Sequence, residues 1–164
     1  MKHSSFSANG ALLLRLLRYA VVLLVVAGVV RSPAALAFGF SSIAAVEGAV
    51  MYDAPSAKAD KLFVASRYLP VEVIVRASDW VKVRNYDGSL AWVEEKALGS
   101  KRYVIVTAPQ ASVHQEADSA SPLIFEVQQQ VVIEWLGTAV SGWVKVRHQG
   151  GQSGFIQVRQ VWGS

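Results

Sequence analysis

Trp80-Val81-Lys82-Val83-Arg84 recurs letter for letter as Trp143-Val144-Lys145-Val146-Arg147, and this repetition decides how the chain is read. The two stretches lie 63 residues apart. The same offset carries Asp87-Gly88 onto Gly150-Gly151 and Ala91-Trp92-Val93 onto Gly154-Phe155-Ile156. Upstream the offset falls to 62, matching Ile43 to Ile105, Met51-Tyr52 to Val113-His114 and Phe63 to Phe125, so one residue has been inserted before the second tryptophan. The chain therefore carries one unit twice, over residues 38–100 and 101–164, with Gly99-Ser100-Lys101-Arg102 as the junction. A linker that short predicts a fixed relation between the units.

Each unit reads as short strands separated by turns. Val71, Val73 and Val75 alternate with Glu72 and Ile74, and Val81 and Val83 alternate with Trp80, Lys82 and Arg84. Alternation of period two turns one face to a core and the other to solvent. Asp87-Gly88 and Gly150-Gly151 have the composition of two-residue hairpin loops, whose central residues need positive φ. No long helical period follows residue 37, and Trp162 reads as a core plug. Units of about 60 residues bury a modest share of their surface, which favours small closed barrels that support one another. The predicted fold is all-β: two tandem small β-barrels preceded by an N-terminal hydrophobic signal helix.

That leader occupies residues 1–37. A basic stretch with Lys2, Arg15 and Arg18 precedes the apolar run Tyr19–Val30, which Arg31 stops. Twelve helical residues span roughly 18 Å against a hydrocarbon core of about 30 Å, short for a membrane crossing. Pro33 breaks the helix, and Ala35-Leu36-Ala37 supplies the small-x-small pattern of a cleavage site, with Phe38 as the first mature residue. The rival reading is an uncleaved anchor over Ala11–Val30, the one way in which the protein would engage a membrane. Both readings export the remainder to the periplasm or another envelope location.

Composition narrows the chemistry. Among 164 residues there is no cysteine, which excludes disulfides, thiolate nucleophiles and cysteine-ligated metal sites. The net charge of +4 comes entirely from Lys2, Arg15, Arg18 and Arg31, because residues 38–164 hold twelve Lys or Arg against twelve Asp or Glu. A neutral body has no field to attract phosphate backbones, so no nucleic-acid partner is expected. His114 and His148 have no second histidine at metal spacing, no G-x-S-x-G elbow occurs, and the neighbouring Glu94 and Glu95 of an extended segment point apart. The expectation is no enzyme, no metal and no cofactor.

AVMYDAPS, then DWVKVRNYDGSLAWVEEKAL, and in the second copy GWVKVRHQGGQSGFIQVRQVWG, resemble the bacterial SH3-like domain across nearly all of residues 41–164. The resemblance implies two small SH3-like barrels of five to six strands that serve in binding or targeting. It also implies where the sequence departs from eukaryotic relatives. Tyr52 and Trp80 fill two places of their polyproline shelf, but Glu94-Glu95-Lys96 stands where a proline and a second tyrosine would be. Repeat 2 has His114 for the tyrosine and Gln157 after Ile156, and Ala91 replaces a glycine that Gly154 retains.

The candidate ligand-binding residues are Tyr52 with the stripes Trp80, Lys82, Arg84 and Trp143, Lys145, Arg147. Period-two geometry places each trio on one strand face, and an indole beside cations can grip a peptide, a glycan or an anionic wall polymer. The structural alternative is a packed tryptophan with solvated lysine and arginine. The functional expectation is a non-enzymatic exported binding module whose partner is a cell-wall polymer or an envelope protein or peptide. A structural subunit or adaptor of an envelope complex is the alternative, and a cell-wall hydrolase stands third. N-terminal sequencing of the envelope-extracted protein is expected to begin at Phe38; a species that keeps Met1–Ala37 would make the leader an anchor.

Overall fold

The computed structural model describes residues 39–138 and 142–164; the expected signal helix, with Ala35, Ala37 and Phe38, lies outside the described residues. Repeat 1 forms β1 (Phe40–Ile43), β2 (Ala49–Tyr52), β3 (Lys61–Ala65), β4 (Pro70–Ala77), β5 (Trp80–Arg84), β6 (Leu90–Glu94) and β7 (Leu98–Gly99). Repeat 2 forms β8 (Tyr103–Val106), β9 (Gln110–His114), β10 (Leu123–Gln128), β11 (Val132–Thr138), β12 (Trp143–Arg147), β13 (Ser153–Gln157) and β14 (Val161–Trp162). Two antiparallel seven-stranded sheets result, ordered β3-β2-β6-β5-β4-β1-β7 and β10-β9-β13-β12-β11-β8-β14. The topology of the second is that of the first. Among the described residues the helical segments are two single 3-10 turns, Glu95–Ala97 and Val158–Gln160, at matching places.

Each sheet bends round its own core. Ile43, Met51, Val71, Val81, Val83 and Val93 form the first cluster, and Val104, Val113, Ile133, Val144, Val146 and Ile156 the second. Val81 and Val83 are 0% and 2% exposed, and Val144 and Val146 both 0%, so the valines of the repeated pentapeptide face inward as their alternation predicts. The apolar burial of such side chains contributes about 1.5–3 kcal/mol each.

Three local expectations are corrected. In β4 the alternation stops at Val73, because a bulge between Val73 and Val75 inserts Ile74 and leaves Val75 43% exposed. The hairpins at Asp87-Gly88 and Gly150-Gly151 have three-residue loops. Asn85 and Ser89 close the first, with the Gly88 amide donating to Asn85 O at 2.9 Å, and His148 and Gln152 close the second, with Gly151 donating to His148 O at 2.9 Å. Positive φ is needed only at Gly88 (86°) and Gly151 (91°), the arrangement of a type I turn followed by a bulge residue. The Ser89 hydroxyl and amide both donate to Asp87 Oδ1, which holds the Asp87 carboxyl below its ordinary pKa. Thirdly, Trp162 fills no core. It stands edge-on to Phe40 of repeat 1, ring centroids 4.8 Å apart.

Trp162 belongs to a seam between the repeats. Tyr68 stacks on Tyr103 at 4.6 Å, and the Arg102 guanidinium lies 4.0 Å from the Trp135 ring centroid while donating to Gly163 O at 2.8 Å. Burial lowers the Arg102 pKa and, as the largest cause, raises that of Tyr103. The extra residue of repeat 2 falls between β11 and β12. Val73 pairs with Val83 and Trp135 with Val146, so the offset is 62 before the turn and 63 after it.

A cross-strand ion pair is repeated as well. Arg84 reaches Glu72 at 3.2 Å, and Arg147 reaches Glu134 at 2.9 Å with Lys101 on the same carboxylate at 3.2 Å. The hydrogen bond from Arg147 lowers the Glu134 pKa, and the same bond raises that of Arg147.

Two outcomes follow for stability. Val83→Asp and Val146→Asp bury an unpaired carboxylate and are expected to cost about 3 kcal/mol or more, whereas Lys82→Asp and Lys145→Asp should stay within about 0.5 kcal/mol. Equal losses in a urea titration would refute the register. Glu134 has a depressed folded-state pKa, so its contribution is present above the ordinary value of 4.5 and disappears as pH falls through the lowered one. Glu134→Gln should therefore lose about 1 kcal/mol at neutral pH, allowing for solvent screening, and match the parent in strongly acidic buffer.

Candidate functional site

The seven proposed ligand residues lie on three strands, β2, β5 and β12. On β5, Lys82 lies 5.9 Å from the ring of Trp92, its direct cross-strand partner, and Arg84 is held by Glu72. On β12, Lys145 lies 5.8 Å from the ring of its partner Phe155, and Arg147 binds Glu134 through Nε and Nη2. Both arginines and both lysines thus have intramolecular partners that the antiparallel register supplies.

The tryptophans differ. Trp143 is buried, 8% exposed, edge-on to His114 at 5.8 Å. Trp80 is half-buried, edge-on to Tyr52 at 5.3 Å. Tyr52, a candidate ligand-binding residue, is itself buried at 9%: it pairs with Trp92 across β2 and β6, and its ring packs edge-on with Trp80. Tyr52 supports Trp80 from below; its ring has little surface to offer a ligand.

The residues around Trp80 form a cleft of about 650 Å3. One wall is the loop between β2 and β3, with Pro55, Ser56 and Ala57. That loop is tied to itself: the Asp53 amide donates to Asp60 O, the Asp60 amide to Asp53 Oδ1, and the Lys58 amide to Ser56 Oγ. The opposite wall is Asp79 with Glu94, Glu95 and Lys96, locked by the Glu95 amide donating to Asp79 O at 2.8 Å. Lys96 binds Glu94 at 2.7 Å, a bond that raises the lysine pKa, and Arg76 binds Glu95. Asp79 makes no ion pair among the described residues. Glu94 and Lys96 also line a second cleft of about 340 Å3 that reaches Tyr52, Ala49 and Ala97 on their other side.

Sequence reasoning passed over Asp79 and took Glu94 and Glu95 only as neighbours that point apart. The signal was available in the repeat alignment, where Asp79, Glu94 and Glu95 correspond to Gly142, Gln157 and Val158. The Val158 amide bonds Gly142 O at 2.9 Å as Glu95 bonds Asp79 O, so the backbone is alike and only the charges are gone.

Among the described residues no group of three or more His, Asp or Glu is placed to hold a metal ion. His114 Nδ1 donates to Ser121 O at 2.9 Å, and His148 Nδ1 accepts from the Gly150 amide at 3.1 Å. No described helix is long and apolar enough to cross a membrane.

No curated protein matches the chain. Among solved structures it is similar to NlpC2 from Trichomonas vaginalis, with 13% identity over 77% of this chain and 48% of that one, at a TM-score of 0.35. NlpC1 from the same organism gives 12% identity over 77% and 46%, also at 0.35. An NlpC/P60 family protein from Bacillus cereus gives 19% identity over 76% and 56%, at 0.32. The chain spans about half the length of these structures. The description of the bacterial SH3 domain matches twice, over residues 45–99 and again over 107–163, each match taking in one of the two sheets from its second strand onward, and the chain belongs to that family as a tandem member.

Proposed function

We propose that this protein is a non-catalytic binding module exported to the cell envelope, with repeat 1 holding a peptide of the cell wall in the Trp80 cleft and repeat 2 acting as its support. The observation that carries this reading is the difference between two otherwise matching tryptophans. Trp80 is half-buried and lines a cleft whose loop and opposite segment are each tied by backbone hydrogen bonds, while Trp143 is buried. Indole rings dominate binding energy where they are pre-positioned and partly desolvated, and membership of the bacterial SH3 family supports the wall as ligand. Cleft binding moves the proposed site away from Lys82, Arg84, Lys145 and Arg147, whose intramolecular partners occupy them.

A second reading, an adaptor within an envelope protein complex, rests on the rim strand β3. Leu62, Phe63 and Val64 are 48%, 37% and 63% exposed there, whereas repeat 2 has Glu126 at the place of Val64. An apolar sheet edge is a template for strand addition.

Cosedimentation of the full chain with purified peptidoglycan tests the first reading. Trp80→Ala should weaken binding by about 2 kcal/mol, whereas Arg84→Ala and Arg147→Ala should leave it unchanged. A urea titration of each variant separates lost binding from lost folding. Failure of the parent chain to sediment, with capture of an envelope protein instead, would replace wall binding by the adaptor reading.

A further inference from the structure

We infer that the Trp80 cleft selects a cationic group, specifically a free primary amine of a wall peptide, and this rests on the wall-binding reading above. Three features of the cleft converge on that chemistry. The first is its aromatic lining. Trp80 is half-buried in the cleft, its indole attracts an ammonium through the ring quadrupole, and Tyr52 packs against it in an edge contact at 5.3 Å, so the ring is set before a ligand arrives.

The second is the charge of one wall. Asp79, Glu94 and Glu95 face two cations, because Lys96 is bound to Glu94 and Arg76 to Glu95. One negative charge is left over, and Asp79 is the carboxylate without an ion-pair partner among the described residues. A ligand ammonium over Trp80 would meet that uncompensated charge at the cleft edge, where the opposite wall of Pro55, Ser56 and Ala57 carries none. An anionic wall polymer would meet repulsion at the same place.

The third feature is the internal comparison that the duplication provides. Repeat 2 keeps the backbone bond across this wall but replaces all three carboxylates by Gly142, Gln157 and Val158 and buries its tryptophan. Repeat 2 does have an acid on its loop wall, Asp118 at the place of Ser56, but its Oδ1 accepts the Ala120 amide at 2.9 Å. The half-exposed indole and the acidic wall therefore occur together in repeat 1 and are absent together from repeat 2. A structural role for the carboxylates would not require that coupling, since the wall holds its shape without them.

The test is cosedimentation of the full chain with peptidoglycan before and after N-acetylation of its free amines, which replaces each ammonium by a neutral amide. Acetylation should reduce binding by the parent chain about tenfold, the effect of losing one charge-assisted contact. Asp79→Asn with Glu95→Gln should lower binding to untreated wall by a similar factor and make it indifferent to acetylation; Asp118→Asn should change nothing. Equal binding of the parent chain to acetylated and untreated wall would overturn the amine while leaving wall binding in place. No binding to either wall overturns both. If the double variant melts early, raised salt supplies the independent arm: binding of the parent to untreated wall should fall with ionic strength, and binding that does not fall counts against the ionic contact.

Discussion

Arg102 sits where the two sheets meet, its guanidinium 4.0 Å from the Trp135 ring of its own repeat and 5.8 Å from the Phe40 ring of the other, with its Nη2 donating to Gly163 O. Around it Phe40 meets Trp162, and Tyr68 meets Tyr103. A domain of about 60 residues hides too little apolar surface to be more than marginally stable, and these aromatics supply burial that neither core provides alone. The seam also explains an asymmetry between the copies. At the places of Tyr103, Trp135 and Trp162, repeat 1 has Ser41, Val73 and Gly99. Tyr103 and Trp162 of repeat 2 meet Tyr68 and Phe40 of repeat 1, while Trp135 carries Arg102 of its own repeat. Through this seam the two repeats pack against each other within one compact unit.

The copies also differ around the Trp80 cleft. Both carry the cross-strand ion pair and the lysine over an aromatic, because those contacts follow from the register of an antiparallel sheet and survive wherever the register does. The cleft does not follow from register. It depends on what is attached at the end of β6 and in the turn before β5, and at those positions the copies have diverged.

Much of the fold was legible because period-two alternation fixes which face of a strand is buried, as Val81, Val83, Val144 and Val146 demonstrate. Alternation fails where one extra residue changes its phase, and the bulge around Ile74 leaves no mark in composition that separates it from a regular strand. The hairpins misled for a related reason: Gly-Gly and Asp-Gly satisfy both a two-residue loop and a type I turn with a bulge, and the choice depends on which flanking residues pair. Burial of Tyr52 and the placement of Trp162 depend on contacts from distant parts of the chain, which local pattern does not encode. The cleft was half legible. Trp80 drew notice as part of a repeat, but the acidic residues beside it were visible only as differences between copies.

The letter-for-letter identity of β5 and β12 carries a hazard of its own, since a folding chain that contains the same strand twice can pair it with the wrong neighbour. The protein distinguishes them by fit rather than by sequence. Val83 pairs with Ala91, and Val146 with Gly154. A Cβ at Gly154 would lie 2.6 Å from His114 O and 2.6 Å from a methyl group of Val113, so repeat 2 has closed onto the missing side chain. A chain that exchanged β6 for β13 would force a methyl group into one core and leave a void in the other. Proofreading of strand pairing thus resides in the partners, and the duplicated pentapeptide is free to remain identical.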